Sequence, residues 1–156
     1  MHISSYLCKK NILYNLEADS KEEVLKRLAE KASSLINEAS FEEIFRVLSE
    51  REELGSTAIG GGIAIPHAKV EGLKKIFIVV AVSSKGVPFE ALDGEDVYVI
   101  FTLLAPEDAT IEYLKVLANV SRLLKKGQLI SHLKEAKGEE EIIEIIKETE
   151  FNRIAR

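Results

Sequence analysis

The sequence is poor in the residues that mark disulfide-bonded, metal-binding and membrane-embedded proteins. Its single cysteine, Cys8, excludes an internal disulfide and fits a reducing compartment. No apolar run approaches the roughly 20 residues that a membrane-spanning helix needs. The first residues, Met1–Tyr6, lack the charged-then-apolar order of a signal peptide. We therefore expect a cytoplasmic protein with no direct membrane insertion.

The sequence also has no excess of basic over acidic residues. Lys and Arg number 21 against 26 Asp and Glu, so the formal net charge is −5. Sequence-independent binding of nucleic acid needs a positive surface, and this balance argues against it. The chain does have 46% apolar and 30% charged residues, which is the composition of a folded protein. Its 156 residues contain no long linker and indicate one domain over residues 1–156.

Hydrophobic periodicity indicates helices and buried strands along the same chain. Ser20 and Ser40 each precede a carboxylate by three residues, which is the capping-box signature of a helix start. Two apolar runs, Ile76–Val82 and Val97–Leu104, are typical of strands buried on both faces. The stretch between them is too short and turn-rich for a helix, so we expect at least one antiparallel pair.

The sequence thus predicts an α/β domain with a mixed, mostly buried β-sheet flanked by helices on both faces. The other predicted elements are strands at Ile12–Leu16 and Ile63–Ile65, helices that start after Ser20, Ser40 and the Pro106 region, and two short helices at Leu129–Ala136 and Glu139–Lys147.

The segment Ser56–His67 differs in character from the helices before it. Three consecutive glycines and a proline just before His67 predict a shaped loop that leads into a short strand ending at His67. Such a histidine can simply hydrogen-bond nearby backbone, and that interpretation stays open. It can also act as a nucleophile, because imidazole is nucleophilic at neutral pH. His2, in a terminus expected to be frayed, and His132 have settings typical of solvated side chains.

Groups that could bind an anion lie close to His67 in the sequence. Arg51 offers a cation, although it could equally balance the glutamates beside it. No metal-ligand partner lies near His67, and the glycines do not form a nucleotide-binding motif, so we expect no metal and no cofactor. A Ser-His-Asp triad stays open, although no GxSxG elbow is present. The candidate phosphoryl-binding loop consists of two hydroxyls and three glycines: Ser56, Thr57, Gly60, Gly61 and Gly62.

The stretch Arg51–Lys69 resembles the phosphorylation-site motif of the IIA components of the bacterial phosphoenolpyruvate-dependent sugar phosphotransferase system. The similarity is to the fructose/mannitol branch, which includes the nitrogen-regulatory IIA proteins. Similar stretches at Pro88-Phe89, Leu92–Gly94 and Leu103–Pro106 extend the resemblance along nearly the whole chain. It implies that His67 accepts a phosphoryl group from a small histidine phosphocarrier protein. It also implies that Arg51 matches the family's active-site arginine.

Two positions depart from the family pattern. Ala68 stands where many members have glycine, and Tyr113 aligns with a second active-site histidine in the long helix. A tyrosine hydroxyl can still donate to a phosphoryl oxygen, but it cannot become a cation. The other interpretation of Tyr113 is a half-buried helix residue with no role in the site.

Two functions of different kinds follow from the resemblance. The first is a phosphocarrier that passes the phosphoryl group from His67 to a sugar-specific IIB component. The second is a nitrogen-regulatory protein that binds target proteins according to its phosphorylation state. No fused IIB-like or membrane domain is visible in the sequence, which resembles the regulatory members. A relative that keeps only the fold is a third possibility, because fold alone does not fix function.

Overall fold

A computed structural model of the protein describes residues 2–151. Within them, six strands and five helices form a single α/β domain. The strands are β1 (Ile12–Tyr14), β2 (Ala58–Gly60), β3 (Ile63–Ala64), β4 (His67–Lys69), β5 (Phe77–Val87) and β6 (Val97–Ala105). The helices are α1 (Lys21–Ser33), α2 (Phe41–Glu53), α3 (Thr110–Leu124), α4 (Leu129–Lys134) and α5 (Glu139–Glu150). No helix of this part of the chain is long and apolar enough to cross a membrane.

The sheet is mixed, as the sequence predicted. Its centre is the antiparallel pair of β5 and β6, in which Val80 faces Phe101. Strand β1 pairs with β5 in parallel, and both β3 and β4 pair with β6 in parallel. Strand β2 pairs antiparallel with β3 and ends the sheet.

Helices cover both faces of the sheet, because successive side chains of a strand point to opposite faces. On β6, Ile100 and Leu104 pack with α1 and α2 in one buried cluster. Phe101 and Leu103 pack with α3, α4 and α5 in another. The predicted fold class is therefore confirmed, with the sheet buried between two helical layers.

The predicted helix starts are confirmed by their capping bonds. Ser20 Oγ accepts the backbone N–H of Glu23 at 3.1 Å, and Ser40 Oγ accepts that of Glu43 at 3.1 Å. These bonds satisfy amide groups that have no partner within the helix. In a regular capping box the Glu23 carboxylate would accept the N–H of Ser20 in return. In α1 it accepts the N–H of the preceding residue, Asp19.

Two sequence predictions are wrong about local structure. The strand predicted at Ile63–Ile65 is present as β3, but the segment before it is not a loop throughout, because β2 forms there and pairs with β3 in a hairpin. In it, Gly60, Gly61 and Gly62 have φ of 92°, 66° and 83°. Strand pairing with β6 organises this segment, and the sequence around the glycines does not reveal that distant partner. The N-terminus is not frayed either, because Ile3 is buried and the N–H of Ser4 donates to the Glu150 carboxylate at 3.0 Å.

A buried carboxylate at the end of α2 fixes the chain segment that leads to the hairpin. The Glu52 side chain is 4% exposed and lies 2.8 Å from the ammonium nitrogen of Lys21 on α1. It also accepts the N–H of Thr57, at 3.1 Å, and the Thr57 hydroxyl. A charge this buried is stable only when it is paired, so Glu52 joins α1, α2 and the hairpin at one point.

Replacing Glu52 with alanine tests this anchor. Because Glu52→Ala leaves the half-buried Lys21 ammonium without its partner, we expect the free energy of unfolding to fall by about 3 kcal/mol. Urea denaturation followed by circular dichroism measures the change. The control is Glu53→Ala on the exposed face of the same helical turn, expected within about 0.5 kcal/mol of the unchanged protein. Equal stability of the two variants would show that Glu52 anchors nothing.

Candidate functional site

His67 lies in a cleft at one edge of the sheet. Among the described strands, β4 pairs only with β6, so its outer edge is free. Helix α2 borders this edge from one face of the sheet and α3 from the other. The cleft has a volume of about 580 Å³ and is lined by Val47, Glu50, Arg51, Leu54, His67, Ala68, Lys69, Tyr113, Leu114 and Leu117.

The orientation of His67 depends on an interruption of the edge strand. Strands β3 and β4 keep one register against β6, since Ile63 faces Val99 and His67 faces Leu103. Pro66 separates them and has no N–H to donate. The carbonyl of Ile65 lies 2.6 Å from Nδ1 of the His67 ring. The interpretation of His67 as hydrogen-bonded to nearby backbone is therefore confirmed for one of its two ring nitrogens.

This contact determines which nitrogen carries the proton. A carbonyl oxygen can only accept a hydrogen bond, so Nδ1 is the protonated nitrogen. The second nitrogen, Nε2, faces the cleft side occupied by Arg51, whose Nε–H donates to it at 3.3 Å. Nε2 therefore presents a lone pair, which is the form of imidazole that attacks an electrophile.

Arg51 is held in place from the end of its own helix. It lies in the last turn of α2, and its Nη1 donates to the carbonyl of Gly55 at 2.9 Å. This leaves the guanidinium between the end of α2 and the His67 ring. The structure thus brings Arg51 and His67 together, as the sequence predicted for a candidate site.

The cleft favours the neutral form of His67. Burial lowers the pKa of the His67 imidazole below its ordinary value of 6.5, and the positive charge of Arg51 lowers it further. The Ile65 carbonyl and the Glu52 charge act in the opposite direction and only partly offset this. At pH 7 the ring is therefore uncharged and lies beside a permanent cation.

Tyr113 lies against His67, with 6.0 Å between the ring centroids and 54° between the ring planes. The side chain is 8% exposed, and burial raises the pKa of Tyr113 to about 12. The hydroxyl therefore keeps its proton throughout the physiological pH range. Within residues 2–151 it has no hydrogen-bond acceptor, so it is available to donate to a group placed beside His67.

The candidate phosphoryl-binding loop is not gathered at the cleft. Ile63, directly after the glycines, pairs with Val99 of β6, and His67 pairs with Leu103. These two positions are four residues apart on β6, or about 13 Å at a strand rise of 3.3 Å per residue. The N–H of Gly61 donates to the Asp93 carboxylate at 3.1 Å. The glycines thus serve a turn against another loop.

The hydroxyls of the same segment are also engaged elsewhere. Thr57 is bonded to Glu52, and Ser56 Oγ accepts the N–H of Ala58 at 3.1 Å. Neither residue is among those that line the cleft. The pairing of β2 with β3 does place Thr57 beside Ile65, two residues before His67, but the two hydroxyls contact Glu52 and the N–H of Ala58.

The cleft contains residues to which the sequence analysis gave no role. Lys69 lies on the same face of β4 as His67, two residues further along. Leu54 and Leu114 are 83% and 57% exposed beside the cleft, and Ile111, three residues before Leu114 on α3, is 74% exposed. Alternation along a strand indicates Lys69 only when the strand continues past His67, as β4 does.

The remaining sequence-predicted positions add no polar group to the cleft. Ala68 lines it, but its methyl group is buried in the cluster under α1 and α2 and points away from the imidazole. His2 packs on the ring of Phe151, and His132 is half-buried on α4 rather than fully solvated. Among residues 2–151, no three His, Cys, Asp or Glu side chains are grouped so that they could hold a metal ion.

The sequence matches one family over most of its length. The model of the EIIA 2 family of the phosphoenolpyruvate-dependent sugar phosphotransferase system matches residues 5–149. A nitrogen regulatory protein from Bradyrhizobium diazoefficiens is 38% identical over 146 residues, which are 94% of this chain and 95% of that protein. The fructose-specific EIIABC component of Bacillus subtilis is 35% identical over 95% of this chain, which spans 23% of that larger protein.

Solved structures agree with this assignment. Nitrogen regulatory protein IIA-Ntr from Neisseria meningitidis superimposes with a TM-score of 0.82 at 33% identity, covering 92% of this chain and 98% of that one. The mannitol IIA enzyme of Escherichia coli, solved in complex with phosphorylated mannitol IIB, has the same fold, with a TM-score of 0.74 at 21% identity over 90% of this chain and 96% of that one. The protein therefore belongs to the EIIA 2 family of phosphotransferase-system components.

The electrostatic effect of Arg51 on His67 can be measured directly. In Arg51→Gln, we expect the pKa of His67 to rise toward 6.5, because a nearby positive charge that disfavours the imidazolium is removed. Burial should still hold the pKa below the ordinary value. Ring-proton NMR over a pH titration gives the measurement.

The matched control is Arg27→Gln, an exposed arginine on α1 that does not line the cleft. Its loss should leave the His67 titration unchanged. An equal rise in both variants, or none in Arg51→Gln, would contradict the geometry described above.

Proposed function

We propose that this protein is a phosphocarrier that receives a phosphoryl group on Nε2 of His67. The observation that carries the proposal is the pair of contacts on the ring. Nδ1 is fixed as the donor to Ile65, and Nε2 keeps its lone pair beside Arg51. Membership in a family of phosphotransferase components supports phosphoryl transfer as the chemistry of this site.

In the proposed transfer, the lone pair of His67 Nε2 attacks the phosphorus of a phosphohistidine on the donor protein. The donor's N–P bond breaks as the new N–P bond forms, and the donor imidazole leaves with the bonding electron pair. No proton has to move at His67, because Nδ1 already carries one and the ring becomes cationic. The carbonyl of Ile65, 2.6 Å from Nδ1, stabilises that positive ring.

Arg51 and Tyr113 supply hydrogen bonds to the incoming group. A phosphoryl group carries a charge of roughly −1.5 to −2, and its oxygens need donors in a site that excludes water. Arg51 already reaches Nε2, so a small rotation of its side chain would bring the guanidinium onto the phosphoryl oxygens. Tyr113 would add one neutral donor through its hydroxyl.

The surroundings of the cleft suit a protein donor. Leu54 and Leu114 expose apolar side chains at the cleft, and Ile111 is exposed three residues before Leu114 on α3. Such a rim can dock a small histidine phosphocarrier protein and exclude water, which protects the hydrolysable N–P bond. A sugar-specific IIB component would use the same surface as acceptor, since one imidazole must face both partners in turn.

The central prediction concerns the phosphorylated residue. After incubation with phosphoenolpyruvate, the general transfer enzyme and the phosphocarrier protein, intact mass spectrometry should show the gain of one phosphoryl group that is labile in acid and stable in alkali. His67→Ala should show no gain, whereas His2→Ala and His132→Ala should behave as the unchanged protein. A phosphoryl group that persists in the His67→Ala protein would refute the assignment.

In a time course, Arg51→Ala should load about 10²–10³ times more slowly, the usual effect of losing one donor to a developing oxyanion.

Tyr113 provides a second, finer test. Tyr113→Phe keeps the ring packed against His67 but removes the hydroxyl, so we expect loading to slow by about tenfold, the loss of one hydrogen bond. Tyr113→His should load as fast as the unchanged protein or faster, because imidazole donates the same bond and can carry a charge. The measurement is the same time course of intact mass. Markedly impaired loading of Tyr113→His would show that this side chain does not face the phosphoryl group.

A regulatory role is the second candidate function. The chain covers 95% of the length of a nitrogen regulatory protein but 23% of the fructose-specific component. In a regulatory protein, the phosphoryl group on His67 would change the surface formed by Leu54 and Leu114, and with it the binding of a target protein.

The two functions differ in the fate of the phosphoryl group. The purified phosphoprotein can be mixed with each sugar-specific IIB component of the same genome and followed by intact mass. Transfer to one of them supports the carrier role. A phosphoryl group that stays on His67 in every mixture supports the regulatory role. A neighbouring gene for a sugar permease or for an alternative sigma factor provides an independent indication.

A further inference from the structure

The cleft contains a second cation that the proposed mechanism does not use. Lys69 and His67 lie two residues apart on β4, so both side chains leave the strand on the same face. Both are half-buried, and both line the cleft. The Lys69 ammonium donates to Thr110 Oγ1 at 2.6 Å, at the first residue of α3.

The charges that line the cleft make this cation significant. A phosphoryl group brings a charge of roughly −1.5 to −2 on three acceptor oxygens, and Arg51 offers one cationic side chain to donate to them. Tyr113 contributes no charge, because its pKa of about 12 keeps it neutral. Glu50, the acidic residue of the lining, is paired with Arg46 at 3.1 Å. Among the residues that line the cleft, Lys69 is the second cationic side chain that can donate to those oxygens.

We propose that Lys69 binds the phosphoryl group on His67. In the unphosphorylated protein its ammonium is held by Thr110, and after transfer it turns to the phosphoryl oxygens on the side opposite Arg51. An ammonium has three N–H donors, and the bond to Thr110 uses one of them. The Cα atoms of the two residues are about 6.6 Å apart in a strand, a distance that the flexible four-carbon stem of lysine spans.

The inference rests on the proposed function of His67, and the experiment separates the two. The phosphoryl donor is the small molecule phosphoramidate, which loads a histidine without any partner protein. The variants are Lys69→Gln, Lys69→Arg and, as control, Lys75→Gln, an exposed lysine outside the lining of this cleft. We expect Lys69→Gln to load about tenfold more slowly, the typical loss for one charge-assisted hydrogen bond at a partly exposed site. Lys69→Arg and Lys75→Gln should load at nearly the unchanged rate.

A second readout reports on charge alone. In ³¹P NMR of the phosphoprotein, the chemical shift follows the proton equilibrium of the phosphohistidine, and a bound cation favours its less protonated form. Lys69→Gln should therefore raise the apparent pKa that the phosphoryl resonance reports, while Lys75→Gln leaves it unchanged. A merely structural role of Lys69 would not move this titration. Thr110→Val, which removes the acceptor of the resting bond, should keep the unchanged value because Lys69 remains.

Each outcome has a definite meaning. Slow loading of Lys69→Gln together with the raised phosphoryl pKa supports the proposal. Equal behaviour of Lys69→Gln and Lys75→Gln in both measurements overturns it, and so does a defect seen only with the protein donor, since that would place Lys69 in partner docking. If the unchanged protein takes no phosphoryl group on His67 from either donor, the proposed function itself fails.

Discussion

The site depends on one backbone oxygen, the carbonyl of Ile65. A regular edge strand would place each carbonyl in the ladder or in solvent, but Pro66 breaks the strand while keeping its register against β6. The N–H of Ile65 is taken by the carbonyl of Thr57 at 3.0 Å, and its own carbonyl is left to the imidazole. A single interruption thus fixes the ring, its tautomer and the direction of the Nε2 lone pair, which accepts the Nε–H of Arg51.

The same constraint couples the site to the rest of the fold. Thr57 holds Ile65 through its carbonyl, and its N–H and hydroxyl are held by the buried Glu52. Glu52 follows Arg51 in the chain, so one turn of α2 sends a carboxylate into the core and a guanidinium into the cleft. The buried ion pair with Lys21 orders the segment between Arg51 and the ring. The position of the His67 ring at the exposed sheet edge therefore depends on the buried Glu52 carboxylate behind that edge.

The elements that the sequence predicted correctly are those whose signals lie within a few residues of the element itself. Serine caps place α1 and α2, and continuous apolar runs place β5 and β6, because each signal lies within a few residues. The glycine-rich segment was misjudged, since its structure comes from non-local pairing, such as the bond between Gly61 and Asp93, 32 residues apart. Lys69 went unassigned for a similar reason, because β4 has three residues and only its pairing with β6 reveals which side chains share a face.

The pairing of a tyrosine with a histidine has a consequence for the energy of the phosphorylated state. Tyr113 offers a hydrogen bond but no charge, so at this position the cleft cannot gain a cation when the pH falls. The charge of a bound phosphoryl group would then be balanced by permanent cations, and the free energy of the phosphohistidine would vary little with pH through this residue. A cleft of this kind suits a state that must persist between two protein encounters. In the proposed carrier, the phosphoryl group would leave when a partner covers the apolar rim and aligns its own nucleophile, and protonation of Tyr113 would have no part in the timing.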